Sequence, residues 1–125
     1  MPSALGIWLK ALRGEESLRV LGQRSGVDHA YIYRLETGVK EAPSDEVINK
    51  LLSALTPSAR DAEILRFLSS HSNVDPGLAE FAWADDSVSF EEFRMLTTVV
   101  NRGTRPDYAI SLTRIRRFMS EDEDG

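Results

Sequence analysis

Apolar residues recur at intervals of three and four along nearly the whole chain, which is the spacing of one helical face. Leu5, Trp8 and Leu9 begin the first such stripe, and the segment 47–55 carries another. No segment of useful length alternates apolar and polar residues as a half-buried strand does, and no segment repeats. The sequence therefore predicts an all-α fold.

Glycines and short polar residues divide the first part of the chain into helices. Gly14 ends the first predicted helix, and Ser17 is positioned to cap the second. Gly26 breaks the chain where a positive φ is easily accommodated. Asp28 can cap a third helix that runs to Gly38, a residue suited to the end of a helix.

Two further helices are predicted before the first clear linker. Ser44, after a proline, starts the fourth helix. Thr56 followed by Pro57 predicts a cap and a first helical position for the fifth. The turn formers that follow place a linker at residues 71–77, so the first domain is predicted to span residues 1–70.

The part after this linker is predicted to form a small helical domain at residues 78–120. Ser89 and Glu92 fit a capping box that opens a longer helix, with Phe93, Leu96 and Val100 on its inner face. A polar loop at 101–106 precedes the last helix, and residues 121–125 form an acidic tail.

Composition and charge limit the possible functions. The 125 residues contain no cysteine, which excludes disulfides, thiol nucleophiles and thiolate metal sites. No apolar run approaches the roughly 18 residues that span a bilayer, so no membrane association is expected. No secretory signal is visible, and a cytoplasmic location is the simplest inference.

Neither catalysis nor a bound cofactor is expected. The only histidines, His29 and His71, fall on different predicted elements, and none of the motifs H-E-x-x-H, P-loop or G-x-S-x-G occurs. The carboxylates at 85–86 and 91–92 fit charges at the start of a helix better than a metal cluster. The sequence therefore predicts a binding protein that holds no metal and no cofactor.

The net charge of −5 is unevenly distributed along the chain. Residues 1–56 hold seven basic and seven acidic residues, whereas residues 57–125 hold eight basic and thirteen acidic ones. A neutral half can still present a basic face, because binding responds to the local field and not to the net charge.

The predicted third helix is unusually polar for its length. Ile32 and Leu35 can face a core, but His29, Tyr33 and Arg34 cannot all do so at a period of 3.6 residues. A short helix with polar side chains at its start and outer face suits the major groove of DNA, which accepts one helix. The alternatives are that the tyrosines are packing residues and that Arg34 pairs with a nearby glutamate, Glu36 or Glu41.

The segment S-L-R-V-L-G-Q-R-S-G-V-D-H-A-Y-I-Y-R-L-E-T-G, residues 17–38, resembles the helix-turn-helix of the Cro/Xre family of repressors. The helices before and after it also match, which implies a five-helix lambda-repressor-like domain. The resemblance implies that these residues contact DNA: Ser17, Arg19, Asp28, His29, Ala30, Tyr33, Arg34, Thr37 and Lys40. That family often pairs an arginine of the first helix with the residue matching Glu36. An ungapped alignment puts Ala11 at that position, and Lys10 or Arg13 could substitute.

The segments G-L-A-E-F-A-W-A-D and F-E-E-F-R-M-L-T-T-V-V-N-R-G-T-R-P resemble the C-terminal domain of DdrO-type repressors of the radiation response. The resemblance implies a homodimer and cleavage by an IrrE- or ImmA-type metallopeptidase within 101–106, at the Asn101–Arg102 bond. The dimer contacts are predicted at Phe93, Leu96, Val100, Leu112, Ile115 and Met119. Periodicity alone does not distinguish such an interface from a core.

Two functions fit these features. The first is a dimeric repressor that binds a palindromic operator and is inactivated by peptidase cleavage during a DNA-damage response. The second is an antitoxin that binds a protein toxin and its own promoter, with the acidic second half covering a basic toxin surface.

Overall fold

A computed structural model of the chain describes residues 2–38, 42–99 and 107–124. Within these ranges the chain forms eight helices and no strand, which confirms the predicted all-α fold. The helices are α1 (Ala4–Arg13), α2 (Leu18–Ser25), α3 (His29–Thr37), α4 (Asp45–Leu55), α5 (Ala59–Ser70), α6 (Pro76–Ala84), α7 (Phe90–Leu96) and α8 (Tyr108–Asp124). None of the helices in the described part combines the length and apolar character that crossing a membrane requires.

Side-chain caps start the helices where the sequence predicts them. The Ser17 hydroxyl accepts a hydrogen bond from Val20 N, and the Ser44 hydroxyl accepts one from Val47 N. Ser89 and Glu92 form the predicted capping box, with N–O distances of 3.0 and 2.9 Å. These bonds satisfy backbone N–H groups that a helix start leaves without partners.

Several predicted boundaries are wrong: α6 begins at Pro76, inside the predicted linker 71–77, and α8 continues to Asp124, into the predicted acidic tail. Thr56 does not cap α5 but ends α4 in the left-handed conformation, at φ 46°, and Ser58 caps α5 instead. The helix that opens at Ser89 ends at Leu96 and so does not extend to Val100 as predicted; Val100 itself lies outside the described residues. Thr97 and Thr98 follow it, and both hydroxyls donate to carbonyls one turn back, a bond that competes with regular helix.

One apolar cluster joins the two halves of the chain. It includes Trp8 and Leu9 of α1, Leu65 of α5, Leu78 of α6 and Phe93 of α7. Helix α1 is central, because it packs against α3, α5 and α6. The domain boundary at 71–77 stays a prediction, since contact between two segments does not show whether each folds alone.

The predicted dimer residues lie mostly inside the chain's own core. Phe93, Leu96 and Leu112 are buried, so in this conformation they offer no surface to a second copy. Ile115 and Met119 of α8 are partly exposed. The periodicity that predicted these positions marks the inner face of α7 and α8, which is already covered.

Polar contacts at two points hold α8 on the rest of the chain. Near its start, the Tyr108 hydroxyl donates to Asp75 Oδ2 at 2.6 Å. At its middle, Arg116 Nε donates to Glu92 Oε2 at 2.9 Å, and Arg116 Nη2 donates to the Ser87 carbonyl at 3.1 Å. Glu92 therefore serves both the capping box of α7 and the attachment of α8.

Acid should weaken this attachment. The pKa of Glu92 lies below its ordinary value, chiefly because Arg116 donates hydrogen bonds to it. Above the unfolded-state pKa of about 4.3, the ionised Glu92 therefore stabilises the fold. This stabilisation is lost as the pH falls through the lower pKa that Glu92 has in the folded state. We expect Glu92→Gln to lower the free energy of unfolding at pH 7 by about 1 kcal/mol or less, because Arg116 is partly exposed. The free energy of unfolding of this variant should also depend less on pH in acid.

Urea unfolding at a series of pH values between 3 and 7 measures this slope. Glu91→Gln, at an exposed neighbour in the same helical turn, is the matched control for loss of one carboxylate. Identical slopes for the two variants would contradict the assignment to Glu92.

Candidate functional site

Helix α3 presents one face to the core and the other to solvent. Ile32 and Leu35 are buried, at 0% and 2% exposure. The predicted base-reading residues His29, Ala30 and Arg34 are all exposed, and so are Tyr33 and Thr37. The helix therefore offers a continuous polar and aromatic surface about 13 Å long, at 1.5 Å per residue.

Two predicted DNA-binding residues already serve as helix caps. Asp28 Oδ1 accepts from Ala30 N at 3.0 Å, and the Ser17 hydroxyl oxygen accepts from Val20 N at 3.1 Å. The Ser17 hydroxyl can still donate its hydrogen to a phosphate, because only its oxygen is engaged. The Asp28 carboxylate has no hydrogen to donate and repels phosphate, so its part is to position α3.

An open groove of about 490 Å³ lies between α2 and the start of α3. Its lining includes the exposed side chains of Arg19, Gln23 and His29, together with Gly26 at the turn. A guanidinium, an amide and an imidazole at this edge are all groups that donate to phosphate or base edges. Arg19, predicted near the DNA backbone, thus lies beside the residue predicted to read bases.

At the other end of α3, the guanidinium of Arg34 lies 5.5 Å from the centre of the Tyr31 ring. Glu36 does not face Arg34, because it is buried and bonded to another arginine. The Thr37 hydroxyl donates to the Tyr33 carbonyl of its own helix at 2.9 Å. The remaining predicted contact, Lys40, lies outside the described residues, as does Glu41.

A buried ion pair attaches α3 to α1. Arg13 Nε and Nη2 donate to the two carboxylate oxygens of Glu36, at 2.7 and 2.8 Å. The pKa of Arg13 is raised, first because Glu36 accepts these bonds, and this outweighs the effect of burial. Of the three positions considered from the sequence, Arg13 makes the pair, whereas Lys10 is exposed and Ala11 has no charge.

The same arginine extends the network towards α2 and α4. Arg13 Nη1 donates to the Glu16 carbonyl at 2.6 Å. Arg24 Nη1 donates to Glu16 Oε2 at 3.4 Å, and Arg24 Nε lies 3.4 Å from Glu16 Oε1. Arg24 also donates to the carbonyl of Ala54, the penultimate residue of α4. Through Arg24, these contacts tie α2 to the loop before it and to the end of α4.

Two glycines allow the helices of this site to approach closely. A Cβ at Gly6 of α1 would lie 2.5 Å from the Glu36 carbonyl oxygen and 2.8 Å from that of Leu35. A Cβ at Gly22 of α2 would lie 3.0 Å from the Val27 carbonyl oxygen. A side chain at Gly6 would therefore clash with the main chain of α3. A side chain at Gly22 would press against the turn that leads into α3.

Sequence reasoning did not identify Gly6, Arg24 or the extension of the ion pair. A glycine inside a helical pattern was the available signal for Gly6, since such a residue often marks close packing. The contact of Arg24 with α4 had no signal, because it joins residues 30 positions apart through a main-chain carbonyl.

Comparison with known proteins agrees with this geometry. Residues 4–63 match a family model described as a helix-turn-helix domain, which covers α1 to α4 and the beginning of α5. Searches of curated proteins and of solved structures find no significant match to the chain. The resemblance of the C-terminal half to DdrO-type repressors stays a prediction. Residues 4–63 thus form a helix-turn-helix domain, which supports a DNA-binding regulator in general terms.

Proposed function

We propose that the chain is a sequence-specific repressor that binds a palindromic operator as a homodimer. The observation that carries the proposal is the exposure of His29, Ala30 and Arg34 on one face of α3, with Arg19 beside them. Arginine reads guanine by two hydrogen bonds in the major groove, and the Ala30 methyl and Tyr33 ring suit a thymine methyl group. The surface therefore has the chemistry of direct base reading.

The dimer is supported by the outer face of α8. Ile110 and Phe118 are 51% and 63% exposed, on the side of the helix away from Leu112. Two such helices in antiparallel contact, with Ile110 of one copy against Phe118 of the other, would cover both apolar side chains. A single helix-turn-helix contacts few bases, so a second copy supplies the missing affinity.

The DNA-reading part is tested by Arg34→Ala. We expect the variant to lose about 1–3 kcal/mol of binding free energy, roughly tenfold to a hundredfold in affinity, and to accept other bases at one operator position. The measurement is a titration against operator duplexes that carry each base in turn at every position. Arg94→Ala, at an exposed arginine of α7, is the control and should retain full affinity.

Equal affinity and unchanged base preference for Arg34→Ala would overturn this assignment. The dimer is tested by sedimentation of the chain with and without the operator, which should show two copies on each duplex. A single copy on a palindromic duplex at saturation would contradict the dimer.

Peptidase cleavage at Asn101–Arg102 stays a prediction from the sequence, because residues 101–106 lie outside the described residues. Incubation with a peptidase encoded beside this chain should yield a fragment ending at Asn101 and release the operator. The antitoxin alternative predicts instead a stable complex with a small basic protein encoded beside the chain.

A further inference from the structure

The two tryptophans of the chain meet where its two halves join. Trp8 of α1 is fully buried, and its ring centre lies 5.2 Å from that of Trp83 of α6, in an edge-to-face arrangement. Trp8 Nε1 donates to the Asp61 carbonyl at 3.0 Å, and Phe93 of α7 packs on the same ring at 6.4 Å. A single side chain of the helix-turn-helix domain thus contacts α5, α6 and α7.

Arg60 of α5 closes this junction with polar contacts. Its guanidinium lies 5.6 Å from the centre of the Trp8 ring. It donates to the carbonyl oxygens of Ala82, Asp85 and Val88 at 3.1, 3.0 and 2.9 Å. Ala82 lies in the last turn of α6, where helix carbonyls have no partners within the helix, so the arginine caps this end. The side chain is only 16% exposed, which strengthens these bonds relative to water-exposed ones.

Helix α1 connects this junction to the DNA-reading helix. On one side it supports α3, through the Arg13–Glu36 pair and the close approach at Gly6. On the other side it carries Trp8, which is packed against Trp83 of α6. The path from α3 to α6 therefore runs through one ten-residue helix and has no flexible segment in it.

We propose that the Trp8–Arg60 junction fixes the orientation of the C-terminal half relative to α3 and so determines which spacing of operator half-sites the dimer accepts. This inference rests on the proposed dimeric DNA binding. If the C-terminal halves pair, a rigid junction sets the distance and rotation between the two α3 helices. One added base pair moves a half-site by about 3.4 Å and rotates it by about 34°, which a rigid dimer cannot follow.

The main test varies the operator spacer. Duplexes selected by the full chain from random sequences are remade with one or two base pairs added or removed between half-sites. We expect the chain to lose about tenfold or more in affinity for each base pair. The Arg60→Gln variant should lose less than about threefold in affinity for each base pair added or removed. Its affinity for an isolated half-site should be unchanged. Arg66→Gln, at an exposed arginine of the same helix, should keep the sharp optimum.

Trp83→Ala provides a second variant in case Arg60→Gln does not fold. Trp83 is 39% exposed, so its loss removes the aromatic contact with less disturbance of the core. It should broaden the accepted spacing in the same way. An unaltered chain that tolerates all spacers, or a folded junction variant that keeps the sharp optimum, overturns the inference.

A second test needs no DNA. Because both tryptophans lie at the junction, fluorescence reports its opening, while far-UV circular dichroism reports all helices. Urea unfolding should give coincident transitions by the two signals. Fluorescence that changes at lower urea would show a junction that opens by itself and would overturn the inference. Absence of any selected operator, or a monomer on it, would instead count against the proposed function.

Discussion

Arg13→Ala is expected to lower the free energy of unfolding by about 3–5 kcal/mol, because it leaves the carboxylate of Glu36 buried without its partner. Glu36 is 5% exposed and receives two hydrogen bonds from Arg13. The loss should also weaken operator binding, since α3 loses its attachment to α1. Urea unfolding followed by circular dichroism measures the first effect, and an operator titration measures the second.

Two controls separate the buried ion pair from a general effect of charge. Lys10→Ala removes an exposed cation from the same helix and should change stability by no more than about 0.5 kcal/mol. Arg13→Met combined with Glu36→Leu replaces both charges by apolar groups and should recover most of the lost stability. An Arg13→Ala variant as stable as Lys10→Ala would show that Glu36 is not held by this pair.

Gly6→Ala is the second change with a large expected effect, and two contributions to it have opposite signs. Alanine is favoured over glycine in a helix by about 1 kcal/mol. The added Cβ, however, would lie 2.5 Å from the Glu36 carbonyl oxygen, a main-chain atom that cannot rotate away. Moving α1 from α3 should cost about 3 kcal/mol, so the net effect is destabilising.

Gly77→Ala in α6 is the matched control for helix propensity. There the added Cβ would meet only the carboxylate of Asp75, at 3.2 Å, which a shift of a few tenths of an ångström in that side chain relieves. We expect Gly77→Ala to be neutral or slightly stabilising, and Gly6→Ala to lower both the unfolding midpoint and operator affinity. A Gly6→Ala variant with raised stability would mean that α1 and α3 separate without cost at this point.

Local patterns were sufficient for most helix starts and for the exposed face of α3. Ser17, Asp28, Ser44 and Ser89 act as caps within their own turns, so their roles depend only on neighbours in sequence. Local patterns failed at Thr56, because Ser58 is a second cap candidate and the predicted start of α5 was two positions too early. Neighbouring residues alone do not show which of two polar residues, two positions apart, takes the cap.

The residues predicted to form the dimer contact were misplaced for a related reason. Periodicity identified the apolar faces of α7 and α8, and the structure uses those faces in the core, with Phe93 and Leu112 buried. Ile110 and Phe118, on the opposite side of α8, are the residues left exposed. An apolar stripe indicates that a face is covered, but it does not indicate whether the same chain or a second copy covers it.

The order of helices, their caps and the polar surface of α3 were determined by the sequence alone, because they depend on residues within one or two turns of each other. The tertiary structure decided which arginine pairs with Glu36, why Gly6 is required and how Trp8, Arg60 and Trp83 meet. Those contacts join residues more than 20 positions apart, so they exist only once the helices have packed. Helical period restricts the side of a helix on which a residue lies, and packing alone selects the partner it finds there.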